Sequence, residues 1–335
     1  MERSAGRMKL SPESDKSNRN ISVVMCTFNG ERYLGEQLQS ISEQTMLPAE
    51  LVVCDDQSSD RTIQILEEFS ESVPFSVRIY QNRSRVGSTV NFDHALKLAC
   101  GELIALSDQD DKWVPHKLER LSTILVGRPD AGGVFSDASL IDSASRPIDG
   151  SLFAKHKFTR AKRTSFLADP ISILLKHSVV CGATLMLRAA VVRSMPPIPA
   201  SWVHDGWLAW MVVLNSKLAF SSERLMEYRV HDGQQIGLCP RNTSANTAVN
   251  QEPLRTYYQR VANQFAELLN HVEESDLPSR DRFVTEIKEK IAFLQRESSL
   301  SRRSTMRALE LAWLFPKYMR YSRGLGTIRQ DAFMQ

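Results

Sequence analysis

Ile21-Ser-Val-Val-Met-Cys-Thr-Phe-Asn-Gly30 is the stretch on which the fold turns. Its β-branched, apolar first half predicts a buried strand, and Asn29-Gly30 predicts a tight turn at its end. Moving outward, Leu34, Leu38 and Ile41 recur at helical spacing and stop before Pro48. Glu50 to Cys54 predicts a second strand, which runs into Asp55-Asp56-Gln-Ser-Ser-Asp60, and a helix follows from about Thr62 to Phe69. A third strand, Val77 to Tyr80, precedes a helix around Val90 to Ala99. A fourth, Leu103 to Leu106, ends at Ser107-Asp108-Gln109-Asp110-Asp111. Strand and helix alternating at this rhythm predict an α/β chain with a parallel, doubly wound sheet. The polar clusters fall just after strand C-termini, where open sheets of this class bind ligands.

Farther along, Gly133-Val-Phe, Thr184 to Leu187 and Leu218-Ala-Phe predict short strands, with a basic loop carrying Lys155, Lys157, Arg160, Lys162 and Arg163 between them. Residues 236–252 predict a polar linker. Beyond it Leu254, Tyr258, Val261, Phe265, Leu268 and Val272 alternate at spacings of four and three, and Val284, Ile287, Ile291 and Leu294 repeat the pattern. The turn at Asp276-Leu-Pro-Ser279 makes these an antiparallel helical hairpin. The expected organisation is a disordered tail over 1–19, a main domain over 20–235 divided near 112, the linker, and a helical region over 253–335.

With 335 residues and 42% hydrophobic content, the chain can bury a large core plus a smaller appendage. A net charge of +3 gives no bulk electrostatic pointer to nucleic acid. Five scattered cysteines without a CxxC pair or Cys/His cluster read as reduced thiols and not as a zinc site. No long uncharged apolar window is present, since Lys176, His177 and Arg188 interrupt the best candidate, so no membrane span is expected. The polar, charged N-terminus lacks the apolar stretch of a signal peptide, and a cytoplasmic location is expected.

Asp108 and Asp110, two residues apart at a strand end, are placed to face one divalent cation, Mg²⁺ or Mn²⁺, which takes hard oxygen ligands and leaves positions open for phosphate. A solvated acidic loop is the alternative; the preceding apolar strand and the following Trp113-Val-Pro favour the site. Asp55 and Asp56 read either as loop acids beside a helix capped by Asp60, or, for Asp56, as a hydrogen-bond acceptor for a pyrimidine ring.

These blocks together resemble the family 2 glycosyltransferases. Val23-Val-Met-Cys-Thr-Phe-Asn-Gly30, with Tyr33-Leu34, Gln37-Leu38, Ser40-Ile41 and Gln44-Thr45, is similar to that family's opening. Val52-Val-Cys-Asp-Asp-Gln-Ser-Ser-Asp60 is similar to its second block. Asn82, Gly87, Asn91-Phe and Ala95-Leu match the next element. Gly101-Glu-Leu-Ile-Ala-Leu-Ser-Asp-Gln-Asp-Asp-Lys-Trp113 resembles a variant found in rhamnosyltransferase-like, O-antigen and exopolysaccharide glycosyltransferases. The resemblance covers roughly residues 20–235. It implies a GT-A fold, Rossmann-like with a mostly parallel sheet and here a C-terminal helical extension, in which residues 20–112 hold a nucleotide-sugar and 113–235 face the acceptor. It assigns Cys26, Phe28, Asn29, Asp56 and Asn91 to the donor pocket, with Asp108 and Asp110 at the diphosphate and metal. Cys26, Phe28 and Gln57 depart from the family's usual Pro or Thr, Tyr and Gly.

Trp202-Val-His-Asp-Gly-Trp207 looks like the family's H-D-x-W block, which makes Asp205 the catalytic base; a helix N-cap is the bland alternative, and Glu223 and Glu227 are lesser candidates. A carboxylate among bulky aromatics is poorly solvated, which raises its basicity toward a hydroxyl proton. Tyr228-Arg-Val-His231 matches a further motif and offers His231 as a metal ligand, with Arg229 as an alternative source of positive charge near the diphosphate.

The implied activity is non-processive, inverting transfer from a UDP- or dTDP-sugar to a saccharide or lipid-linked acceptor in surface-polysaccharide synthesis. Processive relatives carry membrane spans and a Gln-x-x-Arg-Trp motif, and this chain has neither. A nucleotidyltransferase, or a non-catalytic glycan-binding module of the same fold, are the competing readings. Seven Lys/Arg between Arg302 and Arg329, interleaved with Trp313, Phe315, Tyr318 and Tyr321, suggest a segment lying peripherally on an anionic membrane.

Overall fold

The structure is a computed structural model that describes residues 20–234, 252–277, 279–300 and 304–322, together with Gly324, Thr327, Ile328 and Asp331. The tail expected over 1–19 and, apart from Glu252, the linker expected over 236–252 lie outside the described residues.

The quoted stretch forms β1 (Ile21–Thr27), whose alternation feeds two separate cores. Ile21, Val23 and Met25 pack with Leu34, Leu38 and Ile41 of α1 (Leu34–Ser42), whereas Val24 faces the opposite layer with Val52, Cys54 and Phe92. A strand buried on both faces is what a central parallel strand requires. Around it stand β2 (Glu50–Asp55), α2 (Thr62–Ser72), β3 (Ser76–Gln81), α3 (Ser88–Leu98) and β4 (Leu103–Ser107). β1 pairs in parallel with β2 and β4, and β2 with β3.

The second half is mixed. β5 (Lys112–Trp113) and α4 (Lys117–Gly127) lead to β6 (Ala131–Ile141), β7 (Pro147–Ile148) and three short helices, α5 (Leu152–Lys155), α6 (Arg160–Ala168) and α7 (Ile171–Leu174). β8 (Leu185–Arg188), α8 (Ala189–Ser194), α9 (His204–Asn215) and β9 (Lys217–Arg229) complete it. The sheet order is β3-β2-β1-β4-β8-β6-β9-β5 with β7 beside β6; β8 runs antiparallel to β4 and β6, while β6 and β9 are parallel. The strands expected at Gly133-Val-Phe and Leu218-Ala-Phe are the cores of these longer strands, which run on through buried Ser136 and Asp137. The basic loop is largely α5 and α6, whose N-caps Ser151 and Thr159 accept the amides of Ala154 and Lys162.

The helical hairpin is α10 (Leu254–Glu274) and α11 (Arg280–Ser298), followed by α12 (Ser304–Tyr321). It is no loose appendage. Phe265 packs edge-on against Trp202 and Trp210, and Trp202 Nε1 donates to the Gln264 carbonyl at 3.2 Å. α12 is held by a buried polar cluster: Tyr318 Oη lies 2.5 Å from Glu297 Oε2 and 2.7 Å from Asp331 Oδ2, and Tyr258 Oη donates to Asp331 Oδ1 at 2.5 Å. Its inner face buries Leu311, Leu314, Tyr318 and Tyr321. Its outer face is also apolar: Leu309 is 69% and Trp313 71% exposed, and Met306, Phe315 and Met319 are exposed beside them. None of the described helices is long and apolar enough to cross a membrane.

Candidate active site

The C-terminal ends of β1, β2 and β4 open onto a cavity of about 590 Å³. It brings together Cys26, Phe28, Asn29, Asp56, Asn91, Asp108, Asp110, Asp205 and His231, the residues singled out in the sequence. Glu223 and Glu227 do not line it, and Glu223 pairs with Arg120.

One side of the cavity is built from completed hydrogen bonds. Buried Asp55 accepts from Thr27 Oγ1, the Ser58 amide and Ser58 Oγ, which locks β1 to the turn after β2. Asp56 accepts from Asn82 Nδ2 at 2.9 Å, the Val86 amide at 2.7 Å and the Gly87 amide at 2.8 Å. Gly87 sits at φ +83°, a conformation that suits glycine, and ends the loop where α3 begins. Asn91 donates to the Cys54 carbonyl at 2.7 Å and accepts from Asn82, so it holds the residue that holds Asp56. Asp60 accepts the Thr62 amide at the start of α2, but from the position before the N-cap, which is Arg61. The Arg85 guanidinium lies 3.8 Å over the Phe28 ring.

Gln109, between the two acids of the Asp-x-Asp segment, clamps the β1 turn. Its Oε1 accepts the Phe28 amide at 2.9 Å and its Nε2 donates to the Phe28 carbonyl at 3.1 Å. A Cβ on Gly30 would come within 2.4 Å of that Oε1, so Gly30 is required by the clamp. Nothing in the sequence marks Gln109 for this role, because its partner is backbone 81 positions away.

The other side carries concentrated, poorly solvated charge. Burial, with Asp110 and Asp205 nearby, pushes the Asp108 carboxyl up to about 7. Asp205 is raised to about 6 by burial, against the pull of the Gly206 and Gly182 amides, the latter 3.4 Å from Oδ2. It lies in the first turn of α9, whose N-cap is Val203. Asp110 Oδ2 is 2.9 Å from His231 Nε2. Asp111 Oδ1 accepts the Arg229 amide, while its buried Oδ2 has no partner. Beneath them lies fully buried Lys117, whose Nζ donates to the Ala183 carbonyl and sits 3.7 Å over the Trp113 ring. Burial lowers its pKa to about 7 despite Asp111 and Asp108.

Arg229 does not serve as a source of charge in the cavity. Its guanidinium is fully buried and committed to the Asp110 carbonyl, Ser145 Oγ and Glu36 Oε2, so it braces the acidic loop from behind. Two carboxylates and an imidazole share one cavity wall; they are hard donors of the kinds a divalent cation accepts, and such an ion would need phosphate oxygens to complete its shell. Among the described residues no group of three or more His, Cys, Asp or Glu side chains is placed to hold a metal ion.

Residues 22–191, just over half of the chain, match the family described as Glycosyl transferase family 2. The chain belongs to that family. The transferase is 27% identical over 265 residues to an uncharacterized glycosyltransferase of Nostoc, covering 77% of this chain and 79% of that one. It is 28% identical over 195 residues to WfgD of Escherichia coli, a UDP-Glc:alpha-D-GlcNAc-diphosphoundecaprenol beta-1,3-glucosyltransferase, covering 58% and 69%. In fold it is similar to Staphylococcus aureus TarS 1–349, solved with UDP-GlcNAc, with a TM-score of 0.56, 18% identity and coverage of 90% and 81%. It is also similar to the mannosyltransferase PcManGT of Pyrobaculum calidifontis, solved with GDP-Man and Mn²⁺, with a TM-score of 0.56, 18% identity and coverage of 89% and 76%. The architecture of the transferase is therefore GT-A. The family match ends before Asp205, so the proposed base stands on the motif and on the geometry of the cavity.

Proposed function

We propose that the chain is a non-processive, inverting glycosyltransferase that moves a sugar from a UDP- or dTDP-sugar to a saccharide or lipid-linked acceptor in bacterial surface-polysaccharide synthesis. The observation that carries this reading is the placement of Asp205, in the first turn of α9, in the same cavity as the acidic wall of Asp108 and Asp110. A single base and a single leaving-group site fit one in-line displacement, which inverts the anomeric carbon. Asp108, Asp110 and His231 would hold Mg²⁺ or Mn²⁺, and a bound ion supplies charge neutralisation for the departing diphosphate. Asp205 takes the proton of the attacking hydroxyl. Phe28 offers a face for the base, and Asp56, fixed by the 82–87 loop, offers its remaining lone pair.

The pathway assignment is supported by relatives: WfgD acts on a diphosphoundecaprenol-linked sugar, and TuaG of Bacillus subtilis is described as a putative teichuronic acid biosynthesis glycosyltransferase, 28% identical over 214 residues. Peripheral attachment to a membrane through α12 belongs to the same reading. The basic residues first suggested that role, but Arg307 is buried and Arg320 pairs with Glu286, while Arg302, Arg303, Arg323 and Arg329 lie outside the described residues. The support now comes from the exposed apolar face.

The test is release of UDP or dTDP from a panel of UDP-, dTDP- and GDP-sugars with Mn²⁺ present. Release from a UDP- or dTDP-sugar that EDTA suppresses is the expected result. Calorimetric silence toward every nucleotide in the panel would refute the reading.

A further inference from the structure

Buried polar side chains in folded proteins almost always find a hydrogen-bond partner, and an exception calls for an explanation. His204 is such an exception at the wall of the cavity. It is 8% exposed, it precedes Asp205 at the start of α9, and neither Nδ1 nor Nε2 has a partner. Its ring stacks on Phe92 of α3, with centroids 4.0 Å apart and planes at 24°. Nε2 points toward Gly182, where an added Cβ would stand 2.5 Å from it and 3.6 Å from Asp205 Cβ. Gly182 also donates its amide to Asp205 Oδ2. Gly182, His204 and Asp205 thus make one continuous wall, and the missing Cβ of Gly182 leaves Nε2 free of a side chain.

An apolar ring would stack on Phe92 equally well without burying two unpaired nitrogens. Burial holds the imidazole neutral, with its pKa down to about 4. A neutral imidazole offers one N–H donor and one acceptor. A sugar hydroxyl, itself both donor and acceptor, complements that pair. His204 also lies between Phe92, next to Asn91 on the nucleoside side, and Asp205, the proposed base. That interval is where the transferred sugar must sit, between its leaving diphosphate and the attacking hydroxyl.

We propose that His204 contacts a hydroxyl of the sugar being transferred and contributes to the choice of donor sugar. This rests on the glycosyltransferase reading above, and its failure is separable from failure of that reading. The experiment compares the wild type, His204→Phe, His204→Gln and Gly182→Ala. Calorimetry follows UDP and dTDP binding with Mn²⁺. Steady-state nucleotide release follows UDP-glucose, UDP-galactose, UDP-N-acetylglucosamine and dTDP-rhamnose.

His204→Phe should keep nucleoside diphosphate affinity within about twofold, yet lower kcat/KM for the preferred donor roughly tenfold or more. It should also compress the preference among the sugars. His204→Gln, which keeps a donor and an acceptor, should recover most of the loss, and Gly182→Ala should mimic His204→Phe by covering Nε2. Unchanged sugar preference in His204→Phe, or loss of UDP and dTDP binding along with it, would overturn the proposal and leave His204 a packing residue. If the wild type itself binds no nucleotide, the glycosyltransferase reading fails and takes this proposal with it.

Discussion

The two sides of the cavity are built on opposite principles. On the side proposed for the nucleoside, Asp55, Asp56, Asn91 and Gln109 are satisfied by partners from other loops, so the pocket is assembled before any ligand arrives. On the reacting side, Asp108 and Asp205 are desolvated and held above the usual carboxylate range, and Asp111 Oδ2 and both His204 nitrogens have no partner. Satisfied groups cannot gain much when a ligand binds; strained ones can. The first side therefore supplies rigid positioning, and the second holds electrostatic stress that a cation, a diphosphate and a sugar would relieve. Preorganised charge of this kind is the usual source of transition-state stabilisation.

The largest break in this contrast is expected at Asp110. Asp110→Ala removes a carboxylate from the proposed ion and leaves His231 Nε2 without its 2.9 Å partner. Turnover should fall about 10³-fold or more, since Lewis-acid stabilisation is worth several kcal/mol. Calorimetry of UDP binding with Mn²⁺ and with EDTA checks it: the metal-dependent gain should vanish in the variant. Equal binding under both conditions in the wild type would remove the metal from the account.

Asp205→Asn comes next. It should cut transfer about 10²-fold or more, the usual scale for a lost general base, while UDP affinity stays close to wild type. The pH profile carries the same assignment. Asp205 works deprotonated and burial pushes it up to about 6, so at saturating Mn²⁺, which would keep Asp108 ionised, the rate should be flat above that pH and fall roughly tenfold per unit below it. The variant should lose that acid limb. A full rate at pH 5 would place the base elsewhere.

The nucleoside side should respond more gently. Gln109→Ala removes two hydrogen bonds to Phe28 and frees the β1 turn, yet touches none of the acids. Each bond is worth about 1 kcal/mol net, so nucleotide affinity should drop by up to about 30-fold with kcat little changed. A kcat collapse at unchanged affinity would contradict the division of labour between the two sides.

This division also explains what was legible in the sequence. Periodicity exposed β1 to β4 because each is a short apolar run between turn residues, and the acids were visible because they follow those runs. β6 and β9 were seen only in part, since Ser136, Asp137, Ser221 and Glu223 interrupt their apolar pattern while the backbone pairing continues. Arg229 was misplaced for a physical reason: a guanidinium beside acids reads as a phosphate ligand until its burial and its bonds to Asp110, Ser145 and Glu36 are known. Gln109, His204 and Lys117 act through contacts across the chain, and no local pattern announces such contacts.

The smallest expected effect concerns α12, whose outer face contrasts with the cavity in being apolar and open to solvent. Five of the ten exposed large hydrophobic side chains among the described residues lie on this one helix, which decides that the patch is concentrated and not scattered. Basic side chains near an anionic bilayer contribute about 1 kcal/mol each, whereas burying a large apolar side chain contributes about 1.5–3 kcal/mol. Of the cations on the described helix, Arg320 pairs with Glu286, Arg307 is buried, and Lys317 lies 5.9 Å over the Trp313 ring. Apolar insertion should therefore dominate, with charge setting the lipid preference. Vesicle cosedimentation across a salt series separates the two contributions. The wild type should bind anionic vesicles at low salt and retain part of that binding near molar salt. Leu309→Glu with Trp313→Glu should release it at every salt concentration without altering UDP affinity, because neither residue lines the cavity. Lys317→Glu should weaken binding about fivefold at low salt only. If the wild type ignores anionic vesicles at low salt while size-exclusion with light scattering shows a dimer that the double variant dissolves, the face is a contact between copies of the chain and not a membrane anchor.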